Sequence, residues 1–135
     1  MKEPKKILLI HTGGTIGMEG SEHLEPGHYA EALVEQLPEY AGFAHIDSVV
    51  LCNLDSSDIG PRQWRELALT IARNRAQYDG FIVIHGTDTM PYTAAALSFA
   101  LEGLDRPVVL TGAQRPMGAL RNDARRNLAD AIEVS

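Results

Sequence analysis

Apolar positions in this chain alternate between two patterns. Short continuous blocks, Ile7 to Ile10, Phe81 to Ile84 and Val108 to Leu110, read as strands buried on both faces. The predicted strands are Lys6–His11, His45–Leu51, Phe81–His85 and Val108–Thr111; the second alternates apolar with polar and belongs nearer a sheet edge. Between them, apolar residues recur at helical spacing. Tyr29, Ala32, Leu33 and Leu37 share a face, interrupted by Gln36. Trp64, Leu67, Ala68, Ile71 and Ala72 form a cleaner stripe, and Pro61 suits the first turn of that helix because its missing N–H has no helical partner to lose. Thr93 to Leu101 is apolar almost all round, which predicts a deeply covered helix. Leu120, Ala124, Leu128, Ala131 and Ile132 make the last stripe.

Strands alternating with helices predict a three-layer α/β/α domain around a mainly parallel sheet. Residues 1–135 read as one domain, and four strands are few for this architecture, so a short or truncated form of a larger fold is expected. So small a sheet is expected to leave an apolar edge or helix face that symmetric self-association would cover. A net charge of −6 gives no reason to expect nucleic acid or an anionic membrane. Arg115, Arg121, Arg125 and Arg126 cluster late and read as a solvated helix face. The lone Cys52 forbids an internal disulfide, and the apolar run before His11 is too short for a signal peptide or membrane span, so a cytoplasmic setting is expected.

Candidate chemistry lies where strands run into Gly- and hydroxyl-rich loops, since ligands of open parallel sheets bind beyond the carboxyl ends of the strands. The first loop is Thr12-Gly13-Gly14-Thr15, with paired glycines whose N–H groups can approach a carboxylate, a phosphate or an oxyanion. It lacks the glycine spacing of a dinucleotide loop and the lysine of a phosphate loop. The long polar stretch from Met18 to Gly27 reads as a lid or a plain surface connection. After the second strand comes Asp55-Ser56-Ser57-Asp58, suited to a ligand carboxylate or to a simple turn. After the third comes Gly86-Thr87-Asp88-Thr89, where Thr89 is expected to cap the next helix. Gly112-Ala113-Gln114-Arg115-Pro116 follows the fourth. His11 and His85 stand at strand tips without a clustered ligand set, so no metal is expected.

These four loops, in this order, resemble the bacterial-type L-asparaginase family. Asp55-Ser56-Ser57-Asp58 and the stretch from Tyr92 to Phe99 resemble its cytoplasmic type I branch. The resemblance covers nearly the whole chain and implies a short or truncated form of that family's N-terminal domain, with the smaller C-terminal domain absent. It implies an amidohydrolase that converts L-asparagine to L-aspartate and ammonia through an acyl-enzyme, with no metal or organic cofactor and with self-association into a homo-oligomer. By resemblance Thr12 is the nucleophile, and Thr87 and Asp88 form the second catalytic pair, Asp88 also holding the substrate ammonium. Ser56 corresponds to an α-carboxylate ligand, with Ser57, Gly86, Gly13 and Gln114 lining the substrate site. Loop N–H groups near Thr12 and Thr87 would hold the oxyanion. Two departures stand out. His23 or Leu24 occupies the place of the family's mobile-loop tyrosine, and Lys2, Lys5 and Lys6 all precede the first strand, so none matches the family's catalytic lysine. Two other readings stay open: a weak or inactive amino-acid-binding module of the same fold, and a tRNA-linked amidotransferase subunit.

Overall fold

Four strands, β1 (Lys5–His11), β2 (Ala44–Val50), β3 (Gly80–Ile84) and β4 (Val108–Thr111), pair in parallel in the order β2-β1-β3-β4. This is a computed structural model, which describes residues 3–17, 32, 35, 37–40 and 42–135. The predicted strands are present, with ends displaced by at most one residue. The chain leaves β1 for β2 on one side and returns past β1 to β3 on the other. The strand order therefore reverses between β1 and β3, and a crevice opens beyond their carboxyl ends.

Alternation along the central strands divides the core in two. Ile7, Leu9, Ile82 and Ile84 face one layer, where they pack with Leu37 and with Ala124, Leu128, Ala131 and Ile132 of helix α3 (Ala124–Val134). Leu8, Ile10, Phe81 and Val83 face the other, against Leu67 and Ile71 of α1 (Pro61–Asn74) and Leu97 of α2 (Met90–Ala100). Three layers result, as the sequence pattern predicts. Each fully buried Leu, Ile or Phe contributes about 1.5–3 kcal/mol by leaving water. Pro61 opens α1, and the Gln63 side chain accepts the Gly60 N–H just ahead of it at 3.1 Å. Among the described residues no helix is long and apolar enough to cross a membrane.

Several expectations change. β4 is an edge strand and only half-buried over most of its length, because nothing described pairs with its outer side. Ala72 is exposed at the margin of the α1 stripe. Leu120 precedes α3 instead of joining it and is 91% exposed. α2 is covered on one side only: Thr93 and Leu97 are buried, while Tyr92 and Phe99 are 68% and 84% exposed. Its apolar residues go all round, but the sheet and α1 can cover only the side that faces them. Of the first predicted helix, Tyr29, Leu33 and Gln36 lie outside the described residues, as does the stretch from Met18 to Gly27 with His23 and Leu24.

The two-sided core gives a direct expectation. Ile82→Ala, at a residue with no exposed surface, should cost about 2–5 kcal/mol in urea unfolding. Phe99→Ala in the isolated chain should stay within about 0.5 kcal/mol.

Candidate active site

Because the strands are parallel, the loops after β1, β2, β3 and β4 emerge at one edge of the sheet, and main-chain atoms tie them together. Thr12 donates its N–H (3.0 Å) and its hydroxyl (2.7 Å) to the Ile84 carbonyl, joining the β1 loop to β3. The Thr12 carbonyl accepts the Leu54 N–H at 2.9 Å and the Cys52 thiol at 3.3 Å, which brings in the β2 loop. Thr89 is the first residue ahead of α2, yet its hydroxyl does not cap that helix; it donates to the Ser56 carbonyl at 2.5 Å and binds the β3 loop to the β2 loop. From the β4 loop, the Gln114 side-chain amide donates to the Thr87 hydroxyl at 2.7 Å.

The paired glycines allow the closest approach. Gly13 and Gly14 have φ of +134° and +89°, a region that costs L side chains strain. A Cβ on Gly13 would run into the Leu54 carbonyl, and one on Gly14 would lie 2.8 Å from the Gly86 nitrogen. The β1 loop therefore lies backbone to backbone against Gly86. On its other side Gly86 lies against buried Ser56, which opens a short 3-10 turn, Ser56–Asp58. Asp55 caps that turn by accepting the Ser57 N–H at 2.9 Å and hydroxyl at 2.7 Å, and these bonds, the hydroxyl's foremost, hold its carboxyl below the usual range. Gly13, Ser56, Ser57, Gly86, Thr87 and Gln114 thus come together at one strand edge, and Asp88 is exposed beside them.

Thr12 does not fit the nucleophile's part. Its side chain has no exposed surface, and its hydroxyl hydrogen is committed to a main-chain carbonyl. It braces β1 against β3. Thr15 is a second hydroxyl of the same loop, not among the residues singled out from the sequence. It is half-buried and opens the 3-10 turn Thr15–Gly17, one residue past the Gly14–Gly86 contact.

The β4 loop is held from behind. Asp123 accepts the Gln114 and Arg115 N–H groups, each at 2.9 Å, and these bonds lower its carboxyl pKa. The Asn122 side chain donates to the Met117 and Ala119 carbonyls, and Asn127 donates to Gly112 at 2.8 Å. At the tip of β1, burial pushes the His11 imidazole below its ordinary pKa, partly offset by a hydrogen bond with Asn53. No group of three or more metal-ligating side chains occurs among the described residues.

The family model described as Asparaginase, N-terminal, matches residues 6–135. L-asparaginase 1 of Escherichia coli (strain K12) is 43% identical over 140 residues, which is 98% of this chain and 41% of that protein. A glutamyl-tRNA(Gln) amidotransferase subunit of Pyrococcus horikoshii is 40% identical over 96% of this chain and 30% of its own length. The crystal structure of L-asparaginase I from Vibrio cholerae superposes with a TM-score of 0.80 at 41% identity, covering 97% of this chain and 40% of that one. The chain spans less than half the length of each.

Two outcomes follow from the loop geometry. Gly14→Ala should destabilise the fold by more than about 1 kcal/mol in urea unfolding, through a positive φ and the Gly86 approach together. Because the Asp123 pKa is depressed in the folded chain, its contribution is complete above the ordinary carboxylate pKa of about 3.9 and disappears as pH falls through its lower folded value. Asp123→Asn should flatten that part of the acid-unfolding curve.

Proposed function

The chain belongs to the asparaginase family, and on that premise we propose that it forms the nucleophile-bearing part of an amidohydrolase that converts L-asparagine to L-aspartate and ammonia. The observation that supports this reading is the close approach of Gly14 to Gly86, since half-buried Thr15 follows Gly14 and Thr87 follows Gly86 in the chain. In the proposed reaction the Thr15 oxygen attacks the side-chain amide carbon and its proton passes to a base. The oxyanion that forms is held by loop N–H groups. The carbon–nitrogen bond then breaks, the nitrogen leaves as ammonia with a proton, and an ester remains on Thr15. Water attacks that ester, releases aspartate and restores the hydroxyl. Thr87 is suited to orient that water: its oxygen accepts from Gln114, which leaves its own hydrogen to point elsewhere. Asp88 would hold the substrate ammonium, with Ser56 and Ser57 on the α-carboxylate side.

No organic cofactor enters this scheme. A cytoplasmic setting suits the free Cys52 thiol, and a homo-oligomer would cover the apolar side of α2. A second reading rests on the 40% identity to the amidotransferase protein, in which the released ammonia would serve a partner enzyme.

Ammonia release from L-asparagine by the purified protein tests the proposal. Thr15→Ala should remove turnover by a factor of about 10³ or more, as loss of a catalytic nucleophile does. Thr12→Val should instead cost about 1 kcal/mol of stability while the folded fraction stays active. Full turnover in Thr15→Ala would sink the assignment. Aspartate or asparagine binding without any wild-type turnover would favour the binding-module reading.

A further inference from the structure

His85 has no exposed surface, sits at the tip of β3 and takes no part in the reaction above, yet both its ring nitrogens have partners. Nδ1 lies 2.6 Å from the Gly86 carbonyl oxygen and Nε2 lies 2.8 Å from the Thr93 hydroxyl, itself fully buried on α2. Thr93 in turn accepts the indole N–H of Trp64, on α1, at 2.9 Å.

The donors in this row can be assigned from chemistry. A carbonyl oxygen only accepts, so Nδ1 carries a hydrogen. An indole N–H only donates, so the Thr93 oxygen accepts from Trp64, and the single Thr93 hydrogen can be given to Nε2. The bonds then run in one direction, Trp64 to Thr93 to His85 to Gly86, with a ring hydrogen on Nδ1. Every member is satisfied, as a buried polar network requires.

The consequence lies in the peptide bond at the end of the row. Among the described residues no peptide bond is cis, so the Gly86 carbonyl and the Thr87 N–H lie in one plane and point in opposite directions. With the oxygen drawn to the His85 ring, the Thr87 N–H is directed away from that ring. We infer that Trp64, Thr93 and His85 are positioning residues that set the Thr87 amide as an anion-binding donor in the active site. Its catalytic consequence rests on the amidohydrolase reading; the orientation itself does not.

The test uses protein carrying ¹⁵N-labelled histidine and backbone, with His85 assigned by the loss of its ring signals in His85→Asn. Ring ¹⁵N shifts should show a protonated Nδ1 and an unprotonated Nε2. Thr93→Val should shift both His85 nitrogens and the Thr87 amide and speed that amide's exchange, while Thr93→Ser restores all three. In ammonia release, Thr93→Val should lower kcat about tenfold with KM changed less than about twofold, and Thr93→Ser should recover kcat. Should Thr93→Val fail to fold, Trp64→Phe removes the first donor and should move the same signals in the same direction. A hydrogen on Nε2 instead of Nδ1, an unmoved Thr87 amide, or a kcat loss that serine does not rescue would overturn the inference. A wild type that releases no ammonia would defeat the proposed function, while the ring and amide signals would still decide this one.

Discussion

The Ile84 carbonyl is the point on which the active edge of this molecule depends. It receives both the N–H and the hydroxyl of Thr12, at the two strands between which the sheet order reverses. A crevice at such a reversal is open by construction, because consecutive connections leave in opposite directions. The tie across it adds to the Gly14–Gly86 approach and to the bonds that both loops make with the second loop. The two hydrogen bonds from Thr12 close that gap on one oxygen, at a buried residue, where a main-chain acceptor left unpaired would cost about 1–3 kcal/mol.

The two threonines of one loop differ in burial for a related reason. Thr12 and Thr15 are separated only by two glycines, and in sequence either hydroxyl could face a ligand. The strand register decides between them. β1 continues through His11 opposite Ile84 of β3, so the next residue is still within the sheet's hydrogen bonding and is buried with it. Only beyond Gly14 is the chain clear of the strand ends. A family resemblance carried by motifs locates the loop, but the register beneath it decides which side chain is accessible.

Most of the fold was legible for a simple reason: the central strands are buried on both faces, so Ile7 to Ile10 and Phe81 to Ile84 are continuous apolar runs, rich in β-branched residues and bounded by Gly-bearing loops. What periodicity could not give was coverage. α2 is uncharged throughout, and an apolar helix reads as covered whether or not anything reaches its far side; Tyr92 and Phe99 show that here only one side is reached. Leu120 fitted the stripe of α3 by spacing, but Arg121, at φ 55°, turns the chain before the helix begins. Thr89 carried a cap signal from its residue type, and a tertiary acceptor, the Ser56 carbonyl, took its hydroxyl instead. Local propensity cannot see such a competitor, since Ser56 lies 33 positions away in sequence.

The frame of the crevice is made largely of main chain: the carbonyls of Thr12, Ser56, Ile84 and Gly86 accept its principal bonds, and glycines make its closest contacts. Scaffolding of that kind places few demands on side-chain identity at its rim. Ser57, Asp88 and Arg115 are exposed, so descendants of one ancestral gene could exchange them and acquire new ligand preferences while the underlying cradle keeps its shape.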